Sequence, residues 1–223
     1  MRTKLILSAV AALAVSLASS MAQTYSANVV GYVTLITAAN QYAAIENPLN
    51  LDGVNSLTNI LATAPKGTKV QIWNGAGYNQ AARALFGAGA WNVGAETNIL
   101  SPGVGFFINT PSAWTNTFVG TVIPNRNATN TVVFTGGILY MVGSVLPVSG
   151  TITNAADQGT NALNLGATMP KGTKIQIWNG NGYDQYARAL FGAGTWSGNP
   201  TIQIGQSFFL NPGSTTNWSQ TLQ

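Results

Sequence analysis

Polar and apolar residues alternate along two stretches of the chain, and each stretch then runs into a glycine-rich turn. Residues 69–72 alternate and lead to Trp73, residues 74–77 read Asn-Gly-Ala-Gly, and Tyr78 resumes the pattern. Alternation on both sides of a short Asn-Gly turn is typical of a β-hairpin. Residues 174–186 repeat the pattern around a second Asn-Gly turn. The sequence therefore predicts two equivalent hairpins.

The two hairpins belong to an internal repeat. Residues 64–91 and 169–196 differ at 6 of 28 positions, which leaves 22 identical. Weaker similarity joins residues 105–109 to 207–211, residues 42 and 48 to 140 and 147, and residues 30–33 to 119–122. Each copy is about 100 residues long, an ordinary domain size. We expect one β module over residues 23–122 and a second over 123–223.

The remaining segments predict short strands with one helical turn at most in each module. Residues 132–134, Gly136-Gly137 and residues 138–142 favour a third hairpin, and residues 87–89 favour a tight turn. Leu57, Ile60 and Leu61 have helical spacing after Asn55, whereas residues 161–165 carry a weaker helical signal. The predicted fold is all-β, with two tandem β-sandwich-like (or small barrel) modules.

The first 22 residues have the pattern of a signal peptide. Arg2 and Lys4 precede an uncharged apolar run over residues 5–18, and residues 20–22 offer small side chains for cleavage. The run is shorter than the roughly 20 residues of a membrane-spanning helix. We therefore expect an exported protein in the periplasm, at the cell surface or outside the cell, without a membrane span in the mature chain.

Charged residues make up only 6% of the chain, against about 25% in an ordinary soluble domain. Removal of Arg2 and Lys4 would leave 7 basic and 5 acidic residues from the 9 and 5 of the full chain. Seven scattered cations do not form the basic surface that nucleic acid requires, so no nucleic-acid partner is expected. A weakly charged surface also offers little repulsion against self-association.

The residue inventory argues against catalysis. The chain contains no histidine and no cysteine, which excludes the commonest general base, thiolate chemistry and the usual zinc ligands. Neither a metal nor a cofactor is expected. The mature acids are Glu46, Asp52, Glu96, Asp157 and Asp184, and none has an acidic counterpart in the other copy. An unfamiliar hydrolase with paired carboxylates is the remaining catalytic interpretation.

An aromatic and amide face is the candidate binding site. If Trp73 opposes Tyr78 across the hairpin, Gln71 opposes Gln80 and all four side chains share one face of the sheet. The second module repeats this face. The candidate ligand-binding residues are Trp73, Tyr78, Gln71, Gln80, Trp178, Tyr183, Gln176 and Gln185. Rings beside amides suit sugar recognition, whereas cross-strand Trp–Tyr pairs also stabilise hairpins without any ligand. Arg83 and Arg188 are expected to pack on nearby indole rings.

Four short motifs follow one another along the first module: Ser-Ala-Asn-Val-Val-Gly-Tyr-Val at residues 26–33, Asn-Pro-Leu at 47–49, Trp-Asn-Gly-Ala-Gly-Tyr at 73–78 and Gly-Val-Gly-Phe-Phe at 103–107. Together they resemble a family of exported bacterial β-repeat proteins of unknown function. The second module departs from this pattern at residues 145–147 and 205–207. The resemblance implies an exported location and a β-repeat architecture, and it supplies no catalytic residues.

Two functions follow as expectations. The first is a non-catalytic exported structural or interaction protein that self-assembles at the cell surface or extracellularly, with itself or other surface components as partners. The second is a carbohydrate-binding protein that holds polysaccharide on the duplicated Trp/Tyr/Gln face, where two weak sites would gain avidity.

Overall fold

The structure is a computed structural model, and it describes residues 30–51, 54–92, 94–123, 128–152 and 163–221. It is 46% strand and 6% helix, arranged in several sheets, with no closed barrel in the described ranges. The protein therefore has an all-β, sandwich-like fold, and the small-barrel alternative is not adopted. Within these ranges no helix is long and apolar enough to cross a bilayer.

The first module contains six strands and two short helical segments. They are β1 (Val30–Thr37), β2 (Tyr42–Glu46), α1 (Leu57–Ile60), β3 (Lys69–Trp73), β4 (Tyr78–Ala82), a 3₁₀ turn (Ala95–Thr97), β5 (Gly105–Asn109) and β6 (Trp114–Thr121). The predicted helical turn after Asn55 is confirmed as α1, and it buries Leu57 and Ile60. The 3₁₀ turn is a second helical segment, one more than predicted.

The second module repeats this order and adds a two-stranded sheet. Its elements are β7 (Thr129–Phe134), β8 (Tyr140–Val142), β9 (Gly150–Thr151), α2 (Leu165–Thr168), β10 (Lys174–Trp178), β11 (Tyr183–Ala187), β12 (Thr201–Ile202), β13 (Phe208–Asn211) and β14 (Thr216–Thr221). The polar stretch expected to join the modules is residues 124–130. Residues 124–127 lie outside the described residues, and 129–130 begin β7.

Each module combines a two-stranded ribbon with a four-stranded antiparallel sheet. In the first module the ribbon is β1–β6 and the sheet order is β2-β5-β3-β4. In the second module the ribbon is β7–β14, the sheet order is β8-β13-β10-β11, and β9 pairs with β12. Every pairing between these strands is antiparallel.

A separate apolar core lies on one side of each four-stranded sheet. In the first module Val70, Phe106 and Ile108 point into a core with α1 and Phe118. In the second module Ile175, Phe208 and Leu210 occupy the equivalent positions. Because strand side chains alternate, the opposite faces of these two sheets carry the candidate residues.

Strand pairing corrects the weaker part of the repeat alignment. Ala44 pairs with Phe107 and Met141 pairs with Phe209, so residues of β2 and β8 correspond at an offset of 97 (141 − 44). Tyr42 is therefore equivalent to Leu139 and not to Tyr140. Isolated similarities were a poor guide here because loop lengths differ between the copies.

Two further sequence expectations are also wrong. Residues 119–122 are not a second copy of residues 30–33, because β1 pairs with β6 of the same module, Gly31 opposite Gly120. The position of β1 is taken in the second module by β7. Residues 132–134 and 138–142 do not form a hairpin with each other, since β7 pairs with β14 and β8 with β13. Strand pairing between distant segments outweighs the local Gly136-Gly137 turn signal.

Candidate functional site: an aromatic interface between the modules

The predicted register of both hairpins is confirmed. Trp73 opposes Tyr78 and Gln71 opposes Gln80, and the second hairpin has the same pairs. Glycine makes the turn possible, because Gly75 has a φ of +97° and Gly180 a φ of +99°, in the left-handed region. The eight candidate residues therefore lie on one face of each sheet, as predicted.

The two candidate faces pack against each other. Phe107, Met141 and Phe209 are buried between the sheets, and a ring of half-buried side chains surrounds them: Tyr42, Ala44, Trp73, Tyr78, Leu139 and Trp178. We call this set the module interface. Trp73 lies edge-on to Phe209 at 5.5 Å between ring centroids, and Trp178 lies edge-on to Phe107 at 5.6 Å. Each tryptophan thus packs on the phenylalanine of the other module.

The interface is symmetric in its hydrogen bonds as well. The Trp73 indole N–H donates to the Leu139 carbonyl at 2.8 Å, and the Trp178 indole N–H donates to the Tyr42 carbonyl at 2.7 Å. Leu139 and Tyr42 are equivalent by strand register. The backbone continues the pattern, because Ile45 bridges to Gln206 and Val142 bridges to Val104. The exposed edges of β2 and β8 are therefore covered by the opposite module.

These paired contacts define an approximate two-fold axis. Two copies related by such an axis bring equivalent residues together on it. Phe107 and Phe209 meet at 6.3 Å. The hydroxyls of Tyr78 and Tyr183 are close enough to influence each other. Burial raises the pKa of the Tyr78 hydroxyl above its ordinary range, and the neighbouring Tyr183 hydroxyl adds to the rise.

Crowding on the axis explains where the two copies diverge. A Cβ on Gly105 would lie 2.7 Å from the Cβ of its counterpart Ser207, and a Cβ on Gly143 would lie 2.2 Å from the carboxyl of its counterpart Glu46. Two identical large side chains cannot share these positions. The glycine in each pair therefore makes room for the side chain of its counterpart, Gly143 for Glu46 and Gly105 for Ser207.

Glu46 is the most unusual polar group in the interface. Its carboxyl is fully buried, and Oε2 accepts the Gly103 N–H at 3.2 Å. Oε1 has no hydrogen-bond partner among the described residues. Burial raises the pKa of the Glu46 carboxyl well above its usual value, and backbone N–H groups of Gly103 and Ser144 oppose part of that rise. No pattern in the sequence predicted this burial, since Glu46 has no acidic counterpart in the other copy and no cation close to it along the chain.

A cavity of about 230 Å³ lies at the margin of the module interface. It is lined by Tyr42, Gln71, Tyr78, Phe107, Trp178 and Tyr183. We call it the seam cavity. Four of its lining residues belong to the predicted set, whereas Tyr42 and Phe107 were not predicted. Gln71 Nε2 donates to the Tyr42 hydroxyl at 3.3 Å. Gln80 and Gln185 lie exposed and do not line this cavity.

A second part of the repeat, a loop in each module, exposes large apolar side chains to solvent. Residues 84–90 and 189–195 form loops that present a Leu-Phe pair in each module, and we call them the Leu–Phe loops. Phe86 and Phe191 are each 83% exposed, and Leu85 and Leu190 are 58% and 61% exposed. The tight turn at residues 87–89 was predicted from the sequence, whereas the exposure of these side chains was not.

Arginine and lysine side chains hold the Leu–Phe loops in place through hydrogen bonds to backbone carbonyls. Arg83 Nε donates to the Gly89 carbonyl at 2.8 Å, and its Nη1 donates to the carbonyls of Ala62 and Ala64. Lys66 Nζ donates to the Gly87 carbonyl. Arg188 and Lys171 repeat this scheme in the second module. The two arginines thus serve as donors to backbone carbonyls. Their packing on indole rings stays a prediction, and Arg83 is bridged to Trp91 as Arg188 is to Trp196.

The acids are spread through the structure. Glu46 is buried, whereas Glu96 and Asp184 are exposed, and Asp184 accepts the Asn179 side-chain N–H at 2.9 Å. Asp52 and Asp157 lie outside the described residues. Across the described ranges no three acidic, histidine or cysteine side chains come together in a way that could hold a metal ion.

The chain was compared with protein-family models, curated proteins and solved structures, and none of them matches it.

Proposed function

We propose that this protein is a non-catalytic, exported structural or interaction protein that assembles with further copies of itself at the cell surface or in the extracellular or periplasmic space. The observation that carries the proposal is the pair of rigid Leu–Phe loops, one in each module. Large apolar side chains that a folded chain leaves in solvent mark contact surfaces for other molecules.

Rigidity makes these loops suitable for assembly. A contact loses less conformational entropy when its residues are already fixed, and Arg83 and Lys66 each hold one carbonyl of the first loop, those of Gly89 and Gly87. The module interface fixes the two loops relative to each other. One molecule therefore presents two equivalent contact points at a set spacing, which is what a repeating assembly requires.

Open strand edges support the same function. Arg83 N–H donates to Thr68 O at 2.8 Å, and Asn74 N–H donates to Gly77 O at 3.0 Å. Because ladder bonds alternate in antiparallel pairs, the N–H and C=O groups of Tyr78 and Gln80 point away from β3. The corresponding groups of β11 have the same orientation. Such an edge can accept a strand from another molecule.

The test is the mass of residues 23–223 in solution, measured by light scattering over a concentration series. Assembly predicts growth with concentration, and the F86S/F191S double variant should abolish it. The V30S/I36S double variant is the matched control, because Val30 and Ile36 are also exposed apolar residues but lie on β1. A wild-type protein that stays monomeric at high concentration would reject the proposal, as would equal effects of the two double variants.

Carbohydrate binding is the second candidate, and the seam cavity favours it. An aromatic wall with Gln71 and tyrosine hydroxyls suits a sugar ring, whose C–H faces pack on rings while its hydroxyls bond to amides. Replacing Trp73 and Trp178 would also remove interface contacts, so Gln71→Ala is the cleaner probe. Its equivalent Gln176→Ala is the control, since Gln176 does not line the cavity. Polysaccharide retention that Q71A leaves unchanged would reject this site.

A further inference from the structure

A second cavity breaks the symmetry of the two modules. It encloses about 350 Å³ and opens to solvent on one side. Its walls combine the 102–104 loop of the first module with β7, β8 and Trp218 of the second. We call it the Val132 cavity. It lies outside the seam cavity and shares no residue with it.

The equivalent position in the first module is filled. Strand register makes Leu35 the counterpart of Val132, because Leu35 pairs with Asn116 as Val132 pairs with Trp218. The Leu35 side chain packs directly on Gly205, where an added Cβ would lie 2.7 Å from Leu35 Cδ1. Leu35 thereby closes the space between β1 and the facing loop of the second module.

The second module leaves this space open. Gly103 is the counterpart of Gly205, and a Cβ placed on it would meet Val145 and the Gly143 carbonyl but no atom of Val132 within 4 Å. Valine is one methylene shorter than leucine and does not reach the glycine. Val132 therefore leaves open the side of this cavity that Leu35 closes in the first module.

The walls of the Val132 cavity are apolar and aromatic. Phe134 lies edge-on to Tyr140 at 5.0 Å and 6.3 Å from Trp218, which places three rings together. The Trp218 indole N–H is already bonded to the Leu163 carbonyl, and the Tyr140 hydroxyl accepts the Thr135 N–H. Among the residues that the structure describes, no charged side chain lines the cavity. A charged ligand would be desolvated there without a partner, whereas an apolar one would bury its surface against rings and valines.

We propose that the Val132 cavity binds a small, uncharged, apolar molecule of one to two rings. Its volume falls within the range of small-molecule sites, at the lower end. The preference for rings comes from Phe134, Tyr140 and Trp218, since aromatic faces and edges stack favourably on a flat ligand. This site is independent of self-assembly and of the seam cavity.

The experiment uses N-phenyl-1-naphthylamine, an uncharged two-ring probe that becomes fluorescent in apolar surroundings. Titration of residues 23–223 should give saturable binding of one probe per chain. Val132→Phe places a ring in the cavity and should weaken binding of the probe about tenfold or more. A tenfold change corresponds to about 1.4 kcal/mol, and a probe excluded by the new ring loses more than this from the burial of its apolar surface. Val132→Leu, which copies the first module, should weaken binding by a smaller factor.

Leu35→Val is the reciprocal control. It shortens the side chain that packs on Gly205 and should leave binding of the probe to the Val132 cavity unchanged. Absence of saturable binding by the wild type, or equal binding by the wild type and V132F, would overturn the proposal. An oligomer that V132F dissociates while the probe does not bind would also overturn it, because the cavity would then be a contact between copies.

Discussion

The Trp–Tyr face and the Leu–Phe loop lie in the same 28-residue repeat and are equally well preserved between the two copies, yet the structure treats them differently. Trp73 and Trp178 bind carbonyls of the opposite module and pack on its phenylalanines. Phe86 and Phe191 stay in solvent, although Arg83 and Arg188 hold their loops in place. Identity between copies can thus reflect a contact inside the molecule or a surface that the folded chain leaves uncovered.

Mutations in the module interface and mutations in the Leu–Phe loops should therefore change different properties of the protein. Changes in the module interface should act on the stability of the chain, because their partners are present within it. Changes in the Leu–Phe loops should act on association, because their side chains contribute little to the folded monomer.

The largest effect on stability should come from Phe107→Ala. Phe107 is buried and contacts rings of both modules, so its removal leaves a cavity in the interface. We expect the free energy of unfolding to fall by about 3–5 kcal/mol. Urea unfolding measures it, and Phe209→Ala should behave alike because the interface is symmetric. If Phe107→Ala lowered the free energy of unfolding only as much as Phe86→Ala, the contrast between the module interface and the Leu–Phe loops would be contradicted.

Removal of one indole donor should have a smaller effect. Trp73→Phe leaves the Leu139 carbonyl without its donor, at a cost of about 1–3 kcal/mol. Trp196→Phe is the matched control, since the buried Trp196 indole N–H has no hydrogen-bond partner among the described residues. Urea midpoints should therefore fall further for W73F than for W196F. Equal losses would show that ring volume, and not the hydrogen bond, decides the stability.

The buried Glu46 carboxyl should make the free energy of unfolding depend on pH. Burial raises the carboxyl pKa in the folded state, so the folded chain keeps this proton to higher pH than the unfolded chain, whose value is about 4.3. The contribution to stability is therefore complete below about pH 4 and is lost as pH rises through the raised pKa. Unfolding free energies measured between about pH 4 and pH 8 should fall less for Glu46→Gln than for the wild type. Glu96→Gln, at an exposed position, should leave the profile unchanged.

The smallest effect on stability should come from the Leu–Phe loops. Phe86→Ser removes a side chain that is 83% exposed, and we expect the free energy of unfolding to change by no more than about 0.5 kcal/mol. Thermal unfolding at a concentration where the protein is monomeric measures this. A loss of several kcal/mol would place Phe86 in the same class as Phe107.

Local patterns were sufficient to predict the two repeated hairpins and much of the candidate face, although the same kind of signal at Gly136-Gly137 predicted a hairpin that does not form. The register of Trp73 with Tyr78 follows from alternation and an Asn-Gly turn, and the burial of Phe106 and Phe107 on opposite faces follows from two adjacent large apolar residues. Distant pairings were predicted poorly. The β1–β6 ribbon joins residues about 80 positions apart, and no local signal identifies such partners.

The sequence by itself determined that the protein has two copies of one β module, where their hairpins turn and which side chains share a face, because these depend on short-range periodicity and backbone preference. The tertiary structure alone decided what covers each face. Whether Trp73 meets solvent, a ligand or the other module depends on the rotation that relates two distant sheets. That rotation is set by packing on the axis, where Glu46 faces Gly143 and Ser207 faces Gly105. These contacts join residues about 100 positions apart, so they exist only once both modules are folded and docked.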